Sequence, residues 1–135
     1  EVELRQPGTR DVVRTFYATP YATEQPDGSH AYSYLLPVVP EGTYDIAFRA
    51  NHWLRKVVPN VTISGVAMVD VGLLNADIDG DNEVTLFDFG ALVAAFGSLS
   101  GDPNWNFNAD LDGDLEVTLF DFGILVRNFG LIGDE

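Results

Sequence analysis

Residues 75–97 read NADIDGDNEVTLFDFGALVAAFG and residues 108–130 read NADLDGDLEVTLFDFGILVRNFG, an offset of 33 residues at which 18 of 23 positions are identical. This duplication constrains the fold more than any other feature of the chain. Two copies of one local structure have the same apolar face to bury, and each is the natural cover for the other. Within each copy a run of alternating acids leads into a helical pattern. Leu86, Phe89, Val93 and Phe96 fall at i, i+3, i+7 and i+10, as do Leu119, Phe122, Val126 and Phe129. Gly97 and Gly130 follow as helix stops. The two stripes are expected to pack on each other as an antiparallel pair. Phe87 and Phe120 lie off the stripe, with core filling and contact to a partner both open to them.

Charge separates this segment from the rest of the chain. Residues 1–75 carry 8 acids and 6 bases, whereas residues 76–135 carry 13 acids and one base, Arg127. The first part is therefore −2 and the second −12, which sums to the whole-chain −14. So dense a negative charge excludes nucleic acid and anionic lipid as partners. The acids are interleaved with Leu, Phe and Val, unlike an acidic tail, and a sink for cations explains them better. No apolar run reaches the length of a membrane span. With no cysteine, disulfides, thiol catalysis and thiolate metal sites are all excluded.

The spacing of the acids names the cation. Counted from Asp77, the acids Asp77, Asp79, Asp81 and Asp88 occupy positions one, three, five and twelve; Asp110, Asp112, Asp114 and Asp121 repeat this. That is the register of the twelve-residue EF-hand loop, in which alternating carboxylates on a curled backbone give calcium its six to eight hard oxygens. The carbonyl at position seven, from Glu83 or Glu116, supplies another ligand, and Thr85 or Thr118 at position nine acts through water. Two calcium ions are expected. Without them the carboxylates repel, so binding and folding are coupled. Position six, normally Gly, is Asn82 in one loop and Leu115 in the other. Asn tolerates the left-handed backbone and Leu does so poorly, so the second loop is expected to be strained or altered.

Two calcium loops, each followed by one helix and preceded by none, resemble the type I dockerin module. The likeness covers about residues 74–133 and rests on Asp77, Asp79, Asp81, Thr85 and Asp88 with their equivalents Asp110, Asp112, Asp114, Thr118 and Asp121. The spacer 101–106, with Trp105 as a clasp over the helices, is similar to linkers in dockerin-like modules of environmental bacteria. The resemblance implies a cohesin-like partner, recognised in part through loop positions ten and eleven. These are often Ser or Thr in the family and here are Leu86-Phe87 and Leu119-Phe120, which implies a more hydrophobic interface.

Residues 1–73 alternate with period two between Pro, Gly and Asn, predicting strands at 2–5, 12–18, 30–36, 43–50, 53–58, 60–63 and 67–74. Pro37, Pro40, Gly42 and Pro59 mark turns. About seven short strands predict a small β-sandwich. The run Pro40-Glu41-Gly42-Thr43-Tyr44-Asp45-Ile46, followed by a strand and Val61-Thr62-Ile63-Ser64-Gly65, resembles the transthyretin-like or carboxypeptidase-regulatory-like sandwich. The expected class is α+β and multidomain: a β-sandwich over 1–73, then an all-α pair of calcium loop–helix units over 74–135.

No Ser/His/Asp order, glycine-rich phosphate loop or isolated carboxylate pair is present, and every notable acid pair belongs to a loop, so the chain is not expected to be an enzyme. His30 and His52 read as surface or core residues rather than ligands, Trp53 and Tyr44 as packing rather than a sugar site, and the one lysine, Lys56, has no isopeptide partner arrangement. The opening strand lacks an initiator Met and a leader, as in a mature or trimmed product. The leading expectation is a bacterial protein of the extracellular space or cell surface, ordered by calcium. It associates with copies of itself, as a homo-oligomer or head-to-tail filament. The alternative is the anchoring end of a secreted carbohydrate-active enzyme, docked to a cohesin. Carbohydrate binding ranks last.

Overall fold

The computed structural model describes residues 1–19, 21–24, 30–36 and 38–135, with the backbone alone at 22–24 and 30–32. The turn expected at Pro37 and the side chain of His30 lie outside the described residues. The strands are β1 (Val2–Arg5), β2 (Val12–Phe16), β3 (Tyr21–Glu24), β4 (His30–Ser33), β5 (Gly42–Ala50) and β6 (Trp53–Ile63), followed by helices α1 (Leu86–Ala95) and α2 (Leu119–Asn128). The class is α+β, as the sequence predicts. None of the described helices is long and apolar enough to cross a membrane.

The chain divides into two compact units, one of residues 1–48 and 57–70, the other of residues 49–56 and 71–135. In the first, β1 lies between β2 and β5 in a four-stranded antiparallel sheet of order β2-β1-β5-β6, and β3 and β4 form a separate antiparallel pair. The register sets Val2 opposite Phe48 and Leu4 opposite Ile46. All four side chains are buried, as period-two alternation requires of one sheet face. Each contributes about 1.5–3 kcal/mol by leaving water. Beside them Arg5 is buried against Glu3, with Nε and Nη2 at 2.9 and 2.6 Å from one carboxylate oxygen.

Several strand expectations are corrected. The predicted strands 53–58 and 60–63 are one strand, β6, at the edge of the sheet, where a proline is tolerated. Asn60 takes the left-handed backbone there (φ 55°) and donates its N–H to Asp45 at 2.8 Å. The predicted strand 67–74 does not form: the run alternates but joins no sheet among the described residues, and Val66 and Met68 stand in solvent. Its end is tied to the hairpin, where Leu74 C=O accepts Leu54 N–H at 2.7 Å. The strands expected over 12–18 and 30–36 end at Phe16 and Ser33, and β3 lies where the sequence predicts no strand.

The second unit is built on the repeat. Its core pairs equivalent residues 33 positions apart: Ala76 with Ala109, Ile78 with Leu111, Val84 with Val117 and Leu92 with Leu125, closed by Ala95 and Leu54. Trp105 packs on this core from the spacer. Each copy also holds the other's loop by a short backbone ladder. Gly97 N–H bonds Val117 C=O (2.8 Å) and Ser100 N–H bonds Leu115 C=O (2.9 Å); Gly130 N–H bonds Val84 C=O (2.8 Å) and Gly133 N–H bonds Asn82 C=O (2.9 Å).

The packing of the helices departs from the expected stripes. The buried residues are Asp88, Leu92 and Ala95 on α1 and Asp121, Leu125 and Asn128 on α2. Of the predicted stripes, Phe89 and Phe122 meet, with ring centroids 6.1 Å apart, while Leu86, Val93, Phe96, Leu119, Val126 and Phe129 are exposed. Both helices are apolar around much of their circumference, so a 3.6-residue period fits two faces. The loops' own Ile78, Val84, Leu111 and Val117 decide which face turns inward.

Candidate metal centre and partner face

Each loop gathers its three alternating acids. Asp77, Asp79 and Asp81 each offer a carboxylate oxygen within 4.8 Å of the others, and so do Asp110, Asp112 and Asp114. The curl is built by Asx-type hydrogen bonds. Asp81 N–H bonds Asp79 Oδ1 at 3.1 Å, Glu83 N–H bonds Asp81 Oδ1 at 2.9 Å, and Asn82 N–H bonds Asp77 Oδ2 at 3.1 Å. In the second loop Gly113 and Asp114 bond Asp110 Oδ1 at 2.8 and 3.1 Å, and Glu116 bonds Asp114 Oδ1 at 2.9 Å. The sharp turn at position six is left-handed in both loops, at Asn82 (φ 75°) and at Leu115 (φ 72°). Leu115 thus adopts the glycine-like backbone despite its side chain, at a strain of about 1–2 kcal/mol.

Asp88 and Asp121 stand outside the triads and brace them. Asp88 is fully buried. Its Oδ1 accepts the N–H of Ile78 (2.6 Å) and Asp79 (3.1 Å), and its Oδ2 that of Thr85 (2.7 Å). Asp121 does the same for Leu111 (2.6 Å), Asp112 (3.3 Å) and Thr118 (2.7 Å). A carboxylate has about four acceptor positions, so each acid has room for one more partner. The hydroxyls of Thr85 and Thr118 cap α1 and α2, accepting Phe87 N–H and Phe120 N–H at 3.2 Å. The capping box is completed by the Asp at the third helical position. The spacing that places an acid at loop position twelve also makes a helix start, a role the ligand pattern alone does not reveal.

The residues fit a divalent cation bound by oxygen. Asp77 Oδ1 is buried and has no well-formed hydrogen bond among the described residues, an arrangement that costs about 1–3 kcal/mol or more for a charged group unless a cation satisfies it. Burial raises the pKa of Asp77 above the ordinary carboxylate value, against the pull of Asn82 N–H, and the neighbouring Asp88 and Asp81 charges raise it further. Asp79 and Asp112, though exposed, are likewise raised, by local desolvation first and then by surrounding acids. A hard cation among these oxygens removes the repulsion, and an all-oxygen set of this kind suits calcium.

The predicted partner residues are all on the surface. Leu86, Phe87, Leu119 and Phe120 are 72%, 76%, 71% and 75% exposed. For Phe87 and Phe120 this removes core filling. Val93, Phe96, Val126 and Phe129 widen the apolar surface; sequence reasoning missed them as surface residues because it placed them in the core. His52 is half-buried. Its ring lies between those of Trp53 (centroids 5.6 Å) and Phe107 (6.0 Å), and burial lowers its pKa. Lys56 forms a surface ion pair with Asp134 at 2.9 Å.

Comparison with known proteins agrees with this geometry. Residues 75–130 match the family model of the dockerin type I domain. No curated protein matches the chain. Among solved structures, the chain is similar to one chain of a type II cohesin–X-dockerin complex from Acetivibrio cellulolyticus carrying a C-terminal interface mutation. The TM-score is 0.67 at 18% identity, over 98% of this chain and 96% of that one. A second complex from that organism, an N-terminal interface mutant, gives 0.63 at 20% identity, over 98% and 82%. At such identities these two likenesses establish the fold. The duplicated loop–helix segment, residues 75–130, is the part of the chain that is similar to the dockerin type I domain, and this match supports its reading as a protein–protein interaction module.

Proposed function

We propose that the chain is a non-catalytic docking protein of the extracellular space or cell surface. Its dockerin segment, ordered by one calcium ion in each loop, binds a cohesin-like partner. The observation that carries this reading is the pair of equivalent apolar surfaces at the helix starts, Leu86-Phe87 and Leu119-Phe120, exposed on a dockerin fold. Exposed apolar clusters on a small unit mark interaction sites. The structural neighbours come from cohesin–X-dockerin complexes, which favours a cohesin-like occupant over further copies of this chain. We read the N-terminal sheets as a transthyretin-like sandwich placed before the dockerin, in the role of a companion module.

The Asp triads hold the ions, with Asp88 and Asp121 closing the loops, Glu83 and Glu116 supplying carbonyls, and Thr85 and Thr118 acting through water. Calcium supplies charge neutralisation here; the chain's own residues supply shape. Binding is tested by calorimetry against a panel of type I and type II cohesins, with calcium and with a chelator. The reading expects a calcium-dependent complex with at least one cohesin, weakened a hundredfold or more when Leu86, Phe87, Leu119 and Phe120 are all replaced by Ala. No complex with any cohesin, together with calcium-dependent growth of the chain's own mass in light scattering, would favour self-association instead.

A further inference from the structure

The two loops differ at position six in a way that the repeat conceals. In the first loop Asn82 is a four-way junction. Its backbone N–H bonds Asp77 Oδ2 at 3.1 Å, and its carbonyl accepts Gly133 N–H at 2.9 Å. Its side-chain Oδ1 accepts Arg55 N–H at 2.7 Å, and its Nδ2 donates to Asp134 C=O at 3.1 Å. Arg55 C=O in turn accepts Asp134 N–H at 2.8 Å. One position of the first loop is thereby bonded to a loop carboxylate, to the tip of the β5–β6 hairpin and to the C-terminal segment. The equivalent residue of the second loop, Leu115, keeps the backbone bonds, with its N–H on Asp110 Oδ2 at 3.0 Å and its carbonyl on Ser100 N–H. Its side chain is exposed and offers no such junction.

The surroundings are shaped for this junction. A Cβ at Gly133 would fall 2.1 Å from Asn82 Oδ1 and 2.8 Å from Arg55 N, so only glycine fits. The Arg49 guanidinium bonds the carbonyl of Gly80 at loop position four, whereas a Cβ at Gly113, the equivalent position, meets nothing within 4 Å. The hairpin also holds the entry to the first loop: His52 C=O accepts Ala76 N–H at 2.8 Å and Asp77 N–H at 3.2 Å.

We propose that Asn82 is a latch by which calcium in the first loop, and not in the second, fixes the 49–56 hairpin tip and the C-terminal segment. The proposal rests on the calcium reading given above. When the Asp77, Asp79 and Asp81 carboxylates repel and the first loop opens, Asn82 moves with Asp77, and the side-chain bonds to Arg55 and Asp134 break together. Opening the second loop moves Leu115, which holds neither.

Amide hydrogen exchange on the whole chain at saturating calcium tests this, read at Arg55 N–H relative to the amides of α2, with calorimetry on the same samples. Asn82→Gly keeps the left-handed turn and the N–H to Asp77 but removes the side chain. It is expected to speed Arg55 exchange tenfold or more. Asp79→Asn in the first loop is expected to do the same, and Asp112→Asn in the second to leave Arg55 protected. If Asn82→Gly does not fold, Gly133→Ala is expected to give the same loss by displacing the Asn82 amide. Unchanged Arg55 protection in a folded Asn82→Gly, or equal loss in Asp79→Asn and Asp112→Asn, overturns the latch while leaving calcium binding intact. Calorimetry that registers no calcium overturns the calcium reading and the latch with it.

Discussion

The Thr85 N–H lies 2.7 Å from Oδ2 of Asp88, and Thr118 stands in the same relation to Asp121, also at 2.7 Å. Each buried acid thereby starts a helix and closes the loop before it. Replacing Asp88 by Ala leaves the N–H groups of Ile78, Asp79 and Thr85 without acceptors in a packed site. The expected loss is about 3 kcal/mol or more in calcium-saturated chemical unfolding. Asp121→Ala is expected to cost a similar amount, whereas Asp102→Ala on the exposed spacer should stay within about 1 kcal/mol. A loss below about 1 kcal/mol at Asp88 would contradict the brace.

Leu92 and Leu125 are buried while Val93 and Val126 are about half exposed. Leu92→Ala or Leu125→Ala is expected to cost about 3 kcal/mol through lost burial and the cavity left behind. Val93→Ala and Val126→Ala should cost under about 0.5 kcal/mol. Thermal unfolding of the four variants separates the two faces. A reversal of the order would restore the stripe that helical periodicity alone predicts.

Leu115 is left-handed and exposed. Leu115→Asn keeps the N–H to Asp110, relieves the Cβ strain and sacrifices little buried area. A stabilisation of about 1 kcal/mol is expected in the calcium-bound chain, measured by denaturant unfolding. A destabilisation would mean that the Leu115 side chain makes contacts that its exposure does not indicate.

The raised pKa values of Asp77, Asp79 and Asp112 set the sign of two pH effects. In the metal-free fold these groups hold protons at higher pH than in the unfolded chain. Raising pH through this interval therefore destabilises the metal-free dockerin segment. Calcium requires the ionised forms, so its affinity falls as pH drops through the same interval, and binding there releases protons. Calorimetry in buffers of different ionisation enthalpy should register that release at mildly acidic pH and much less of it at pH 8. Proton uptake on binding would contradict the assignment.

In the first unit the sign is opposite. The N–H groups of Asn60 and Gly8 bond the Asp45 carboxylate at 2.8 and 2.7 Å and, with Arg5 nearby, hold its pKa below the ordinary value. The stability it contributes is present above the unfolded-state pKa and is lost as pH falls through the lower folded value. Asp45→Asn is expected to flatten acid unfolding of the sheet followed by backbone amide signals of β1 and β5. An unchanged acid transition would remove Asp45 from the account.

The loops were legible because the spacing of the acids is a local property: Asp77, Asp79 and Asp81 lie within five residues of chain and gather their carboxylates on one curl. The buried helix face was not, since Asp88 sits in the stripe Asp88-Leu92-Ala95 and an acid is read as solvent-facing until its three backbone donors are known. Strand pairing needs a partner as well as a pattern. The run 67–74 alternates correctly and joins no sheet among the described residues, while Pro59 interrupts the pattern and is carried within β6. The Asn82 junction depends on residues 27 and 52 positions away, and no motif records such distances.

The central claim is that two oxygen-lined loops hold the dockerin segment in its folded, partner-ready form by binding calcium. The most direct measurement is calorimetric titration of the metal-stripped chain with calcium, with far-ultraviolet circular dichroism followed on the same sample. The account predicts two ions bound per chain, a gain of helical signal on loading, and loss of one ion each in Asp77→Asn and Asp110→Asn. A metal-stripped chain that is fully helical and takes up no calcium would contradict it.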